Sequence, residues 1–494
     1  MDLNRRRSFV LISATAAAAV LIVWSGEGLE GSARTRTIGR DRLVSVPPIG
    51  GSDVDTCPVP GVAPLSVAAA TPQQAPAGAA AAAPAAPAVR TRAGNIDKRP
   101  ARYIKDPYPA WSSIAVNAEN DMVIMTDENL FRIVEYARSV NTPLTGPAAE
   151  PRRVIGGDKT HMEMLCGSYI DPKTLDVYVT NNDTQDWMPV FSREARGNAV
   201  PDRLLATPHQ AWGIAADEAR QELYLTVQGA AAVVVYRKLA QGTEVPLRIL
   251  QGDATELADP HGIAIDMKSD LMVVANHGHR RLSGGAMPPM RSREEWSRLW
   301  EAGMKSSLHQ FVSMYGVGRG RGEDGGGVGG ARSPAEANGF GRFEMPSINI
   351  YQRGVDGNTP PLRVIKGPKT QLNWPSHVTL HEDRGEIFVA NDADDSVLVF
   401  RESDSGDAAP IRVIKGPKTR IKFPTGLSLD AKNNELWVAS MGNFTATVFP
   451  VTANGDVAPV RQIRAGPADK VGLMIGNPGA VGYDSKRQEI LVPN

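Results

Sequence analysis

Cysteine is nearly missing from this 494-residue chain: Cys57 and Cys166 are the only two, and no Cys-x-x-Cys or Cys-x-x-Cys-His run occurs. With Cys57 in a linker-like stretch, nothing supports a disulfide framework, a thiolate zinc site, thiol redox chemistry or covalent haem. Net charge is missing too. The 54 Lys and Arg balance 54 Asp and Glu, and no basic cluster follows the extreme N-terminus, which argues against a nucleic-acid partner. Long apolar periodic stretches are few, while 48 Gly and 37 Pro punctuate the chain, a pattern of many short strands and turns rather than helices. No Gly-x-Ser-x-Gly, His-Glu-x-x-His or calcium-loop motif occurs. The glycine-rich stretch 316–330 lacks the Gly-Lys-Ser/Thr of a phosphate loop and the dinucleotide spacing, so a nucleotide site is rejected.

The N-terminus carries a targeting signal. Arg5, Arg6 and Arg7 precede an apolar run from Ser8 to Trp24, the pattern of an export segment. Arg6-Arg7-Ser8-Phe9-Val10 resembles a twin-arginine signal and equally fits an ordinary basic n-region. No small-residue cleavage site follows Trp24, and Ser8 to Gly26 is long enough to span a bilayer, so both an uncleaved inner-membrane anchor and release remain open. The Ala/Pro-rich, nearly uncharged stretch from Val54 to Val89 cannot bury a core. The expected organisation is an export signal or anchor over 1–30, a disordered linker over 31–87 and an extracytoplasmic domain, in the periplasm or at the cell surface, over 88–494.

That domain is repetitive. Pro361 to Thr370 and Pro410 to Thr419 read almost identically 49 residues apart, and weaker copies centre on Arg102, Arg153, Arg203, Arg248 and Arg461. Each is followed by short apolar runs bounded by Asp, Gly and Asn, as in Trp212 to Asp217, Glu222 to Thr226 and Val233 to Tyr236. Seven units of four antiparallel strands are predicted: an all-β, seven-bladed β-propeller, with six blades as the alternative. The seventh blade is expected to close by pairing the N-terminal segments Ala88 to Arg92 and Pro100 to Lys105 beside the final strands, Ala480 to Asn494, which would leave no open edge. Blade 4 carries an insertion, 280–346, in which Ser292 and Glu295 form a capping box and Trp296, Leu299, Trp300, Met304 and Leu308 mark a helical face.

Asp176-Val177-Tyr178-Val179-Thr180-Asn181-Asn182 resembles the signature of YVTN-type propellers, and Pro260-His261-Gly262-Ile263-Ala264-Ile265-Asp266 resembles the start of an NHL repeat. The resemblance implies a propeller and no single activity, since these superfamilies include scaffolds, surface proteins, lactonases and lyases.

Residues recurring in every unit read as structural. The Asp closing nearly every inner strand (Asp171, Asp217, Asp266, Asp430, Asp484, with Asn117 and His381 substituting) is a turn former, and the repeated Arg is an inter-blade hydrogen-bonding or capping group. Irregular residues in the loops at one channel mouth are the functional candidates. The ligand-binding set is Trp212, His261, Asn276, His277, His279, His377, Asn391, Asp392 and Asn181, with His261, His277 and His377 as metal ligands for a divalent ion, the expected cofactor if there is one. The grouping resembles the three-histidine zinc arrangement of propeller amidating lyases without reproducing its spacing. The functional expectation is a scaffold binding a small molecule or protein through its mouth; the alternatives are a lactonase-like hydrolase or metal-dependent lyase, and a structural envelope protein.

Overall fold

The computed structural model describes residues 107–182, 186–280, 342–468 and 470–472, with the short pieces 44–45, 104–105, 482–484, 486 and 489–491. All of them belong to the unit Asp41–Asn494. The export segment and nearly all of the insertion, including its expected helix, lie outside the described residues. Among the described residues no helix is long and apolar enough to cross a membrane.

Six four-stranded antiparallel sheets follow one another along the chain, each ordered from inside to outside in sequence order. Their innermost strands are Trp111–Asn117, Leu165–Ile170, Ala211–Asp217, Pro260–Asp266, Pro375–His381 and Pro424–Asp430, which define blades 1 to 6. Their outermost strands all begin at the repeated arginine: Arg153–Gly156, Arg203–Ala206, Arg248–Gln251, Arg363–Ile365, Arg412–Lys415 and Arg461–Arg464. The second strand of every blade is buried along nearly its whole length, as a strand covered by neighbouring blades on both faces must be. Six apolar clusters result, one in each seam.

The molecule is therefore a six-bladed propeller, and the expected seventh blade is not formed. Gly482–Asp484 and Glu489–Leu491 make a two-stranded sheet of their own, and Ile104–Lys105 pairs with Val44–Ser45 instead of completing a C-terminal blade. Blade 6 closes directly on blade 1. The Thr425 hydroxyl donates to the Trp111 carbonyl at 2.6 Å, the Val116 amide donates to Ser428 Oγ at 3.2 Å, and Trp437 and Trp111 share the apolar cluster of that seam. At the rim, the amides of Thr142 and Ala149 donate to the carbonyls of Gln462 and Arg464, each at 2.8 Å. The buried Arg464 guanidinium donates to the carbonyls of Pro143, Gly146 and Pro147. A blade-1 loop thus satisfies the edge that an extra blade was expected to cover.

The recurrent residues act as the repeat suggested. Asp171 and Asp217 each accept two backbone N–H bonds from their following turns, and Asp266 and Asp430 accept one apiece. Arg248 and Arg412 form two-pronged ion pairs with Glu222 and Glu386 of their own blades, and Arg153, Arg363 and Arg412 also donate to carbonyls of the next blade.

The ring closes tightly because the third position of the innermost strand is small in five blades: Ser113, Gly167, Gly213, Gly262 and Gly426. A Cβ on Gly262 would lie 2.5 Å from His377 Cα, and one on Gly426 2.8 Å from Ser113 Cα. Gly262→Ala is expected to destabilise the fold by about 1–3 kcal/mol, because the obstruction is backbone and cannot rotate away. Gly354→Ala, where no atom lies within 4 Å, is expected to stay within about 0.5 kcal/mol. Thermal or denaturant unfolding of the two variants checks the contrast.

Candidate functional site

At one end of the ring, each blade is entered through the loop before its innermost strand and left through the loop after its second strand. In blade 4 the backbone fixes these loops together: the His277 amide donates to the Asp259 carbonyl at 3.1 Å and the Gly278 amide to the Ala258 carbonyl at 3.0 Å. This brings Asp259 and His261, from the entering side, against His277, from the leaving side. Asp259 and Trp374 both precede a proline that starts an innermost strand, and both hold left-handed φ values, 58° and 60°. Such a conformation in a bulky, non-glycine residue costs about 1–2 kcal/mol and marks a place where side-chain direction is imposed.

The resulting wall is a run of four rings. Trp212 packs on His261 with centroids 4.1 Å apart, His261 stacks on His277 at 3.4 Å with 19° between planes, and His277 meets Trp374 edge-on at 5.0 Å. The two imidazoles are buried and Trp374 is 48% exposed, so a neutral imidazole pair lies behind an indole that faces water. Burial pulls His261 down to about 3, and burial followed by the neighbouring His261 takes His277 well below its ordinary value. Both are uncharged at neutral pH. His261 Nδ1 lies 3.0 Å from the Asp259 carbonyl oxygen, and the Nε2 atom of His277 is buried without a hydrogen-bond partner. One ligand atom from each of Asp259, His261 and His277 lies within 4.8 Å of the others.

Two acids complete the mouth. Burial, then the charges of Asp392 and Asp127, pushes Glu128 up to about 8, against a hydrogen bond from the Cys166 thiol at 3.8 Å. Asp392, although partly exposed, is pushed up to about 7 by burial and by Asp395.

The expected site residues divide in two. Trp212, His261 and His277 converge. His377, at the position that is small in the other blades, abuts Gly262; burial holds it down to about 4 and its Nδ1 has no hydrogen-bond partner, but it does not join the Asp259, His261 and His277 group. His279 starts a short pairing of His279–Arg280 with Arg342–Phe343 and leads away into the insertion. Asn181, Asn276 and Asn391 brace the entering loops, each accepting from the amide 18 residues earlier: Glu163, Ala258 and Asn373. That leaves their carboxamides little freedom to reach a ligand. Asp259, Trp374, Glu128 and Cys166 were not among the expected ligands; the signal that could have found two of them is the residue preceding proline in Asp259-Pro260 and Trp374-Pro375.

No family model matches the chain, and no curated protein matches it. Solved structures that it is similar to include hydrazine synthase of Kuenenia stuttgartiensis, at 10% identity and a TM-score of 0.42, covering 73% of this chain and 100% of that one. A functionally unknown protein from Desulfotomaculum acetoxidans matches at 13% identity and a TM-score of 0.41, covering 74% of this chain and 89% of that one. The WD40 β-propeller domain of Doa1 matches at 8% identity and a TM-score of 0.40, covering 78% and 89%. At these levels the likeness concerns fold and carries nothing about chemistry.

Because Glu128 holds its proton in the folded chain up to about pH 8 but loses it near pH 4.5 when unfolded, it withdraws stability as pH rises through that interval. Glu128→Gln is expected to match the parent at pH 5 and to exceed its melting temperature at pH 9. Paired thermal melts at the two pH values are the check, and an equal difference at both would remove the assignment.

Proposed function

We propose that this chain is an extracytoplasmic propeller scaffold of the NHL/YVTN repeat kind, exported and tethered through its N-terminal segment, that binds a ligand at its mouth through a divalent transition-metal ion. Asp259, His261 and His277 would hold the ion. The carrying observation is their grouping: one ligand atom from each of the three lies within 4.8 Å of the others, and the Nε2 atom of His277 is buried with no hydrogen-bond partner. Two uncharged imidazoles and a carboxylate suit zinc better than a hard, all-oxygen ion such as calcium. A zinc ion held by these three residues would keep a fourth position for an incoming group.

A second reading draws on Glu128 and Asp392. Acids that keep their protons near neutrality beside a metal-polarised group are the equipment of a hydrolase or lyase. Scaffold and enzyme share the metal and differ in turnover.

The test uses the purified full chain dialysed against Zn²⁺, with bound metal measured by mass spectrometry after loosely held ions are washed out. The expected outcome is one Zn²⁺ per chain for the parent and for His377→Ala, and none for His277→Ala or Asp259→Asn, with circular dichroism confirming that each variant is folded. A Co²⁺-loaded parent should show the strong visible absorption of a tetrahedral site. A parent that binds no stoichiometric metal, or a folded His277→Ala that keeps it, would overturn the reading.

A further inference from the structure

The residue following each blade's third strand sits against the end of the preceding blade's innermost strand, and the two positions vary together around the ring. Arg138 reaches Asp430 at 3.4 Å, Lys238 reaches Asp171 at 2.7 Å, and Arg353 reaches Asp217 at 2.8 Å. Where the inner position is Asn117 or His381, its counterpart by register is the uncharged Ser192 or Val451. Only the seam between blades 4 and 5 breaks the rule. There the inner position is Asp266 and the counterpart is Glu402, an acid where three other seams put a cation.

Both side chains are buried, Asp266 completely and Glu402 to within 8%. Glu402 lies against Asp266, and Asp266 Oδ2 and Glu402 Oε1 are buried oxygens that no hydrogen-bond donor satisfies. Two carboxylates cannot share a dry contact while both are ionised. Facing the pair are Glu382, whose carboxylate accepts from the Met267 amide, and Arg363, whose Nε donates to the Glu402 carbonyl. Lys268 is engaged with Asp383 at the surface, and Arg384 and Arg412 with Glu386. The remaining cation beside the pair is Arg363, whose charge favours ionisation of Glu402 but is outweighed by burial and by Asp266.

We propose that Glu402 holds a proton against the neighbouring Asp266 and makes the blade 4–blade 5 seam a pH-controlled joint, tight while the proton is held and weakened when Glu402 ionises. The direction follows from linkage. Burial first, then the hydrogen bond and charge of Asp266, pushes Glu402 up to about 7, with Arg363 opposing. The folded chain thus retains a proton that the unfolded chain releases near pH 4.5, and the seam's contribution is full below that value and lost as pH rises through about 7. The same seam carries the His277–Trp374 contact of the mouth at its other end. A drop in external pH across neutrality would therefore stiffen the framework on which the mouth is built.

Thermal unfolding of the full chain between pH 5.5 and 8.5 tests this, comparing the parent with Glu402→Gln, which keeps a hydrogen-bond donor but cannot ionise, and Glu402→Lys, which restores the ion pair of the other seams. Glu128 and Asp392 titrate with the same sign in all three proteins, so the readout is the difference between them. The parent's melting temperature is expected to fall across the interval by on the order of 3 °C more than that of Glu402→Gln, and Glu402→Lys to be the most stable at pH 8.5. Parallel curves for parent and Glu402→Gln would overturn the proposal, as would disappearance of the parent's pH slope on adding Ca²⁺, which would make the occupant a metal cation. Should Glu402→Lys fail to fold, the Glu402→Gln comparison decides alone.

Discussion

Backbone approach at the central axis is the constraint on which the remainder of the molecule depends. Six innermost strands meet there with almost no side-chain volume between them, and the hydroxyls of Thr180, Thr226, Ser376 and Thr425 donate to a carbonyl at the start of the neighbouring blade, at 2.5–2.9 Å. A seventh blade would widen the axis and pull these donors from their acceptors, leaving polar groups buried and unpaired. Blade number is thus a matter of local contacts: once glycine, serine and threonine occupy the axis positions, the angle between blades that satisfies every hydroxyl is the one that closes with six.

This tightness governs where function can reside. Axis positions filled by glycine cannot carry chemistry, so reactive groups are displaced to the loops just above, where the chain turns through left-handed residues into each innermost strand. Blade 5 is the exception. His377 stands in the position that is small elsewhere, and the space for its neighbour comes from Gly262 of blade 4, whose bare Cα accepts the His377 backbone. The most irregular seam of the ring, with the acid pair at one end and the imidazole–indole contact at the other, is therefore also the one between the blades that supply most of the mouth.

Much of the fold was legible because a propeller repeats its physics. The recurring arginine opens each outermost strand, where its guanidinium pairs with an acid of its own blade, as Arg248, Arg412 and Arg461 do, or donates to the next blade's carbonyls, as Arg153, Arg363 and Arg412 do. The Asp closing each innermost strand is a turn former wherever it occurs. The count failed at the ends, where the repeat is a poor guide. Residues 480–494 carry the strand-like pattern of a blade's first half, but pattern reports burial and not partners, and the partner that closes the ring is a loop around Thr142 to Ala149 with no repeat signature. Asn181, Asn276 and Asn391 show a related limit: a polar side chain at a strand end looks the same in sequence whether it faces a ligand or, as here, braces the preceding loop.

The site was half legible. Histidine is scarce enough in this chain to be conspicuous, which exposed His261 and His277, but Asp259 is one aspartate among many in turns. Its significance comes from a left-handed backbone that faces its carboxylate toward two buried imidazoles. Burial then gives the three residues a common consequence. An imidazole removed from water sheds its proton, so the Asp259 carboxylate stands beside two neutral rings. Burial thus manages charge at both ends of the blade 4–blade 5 seam, through neutral imidazoles at the mouth and through the raised Glu402 carboxyl beside Asp266 at the far end.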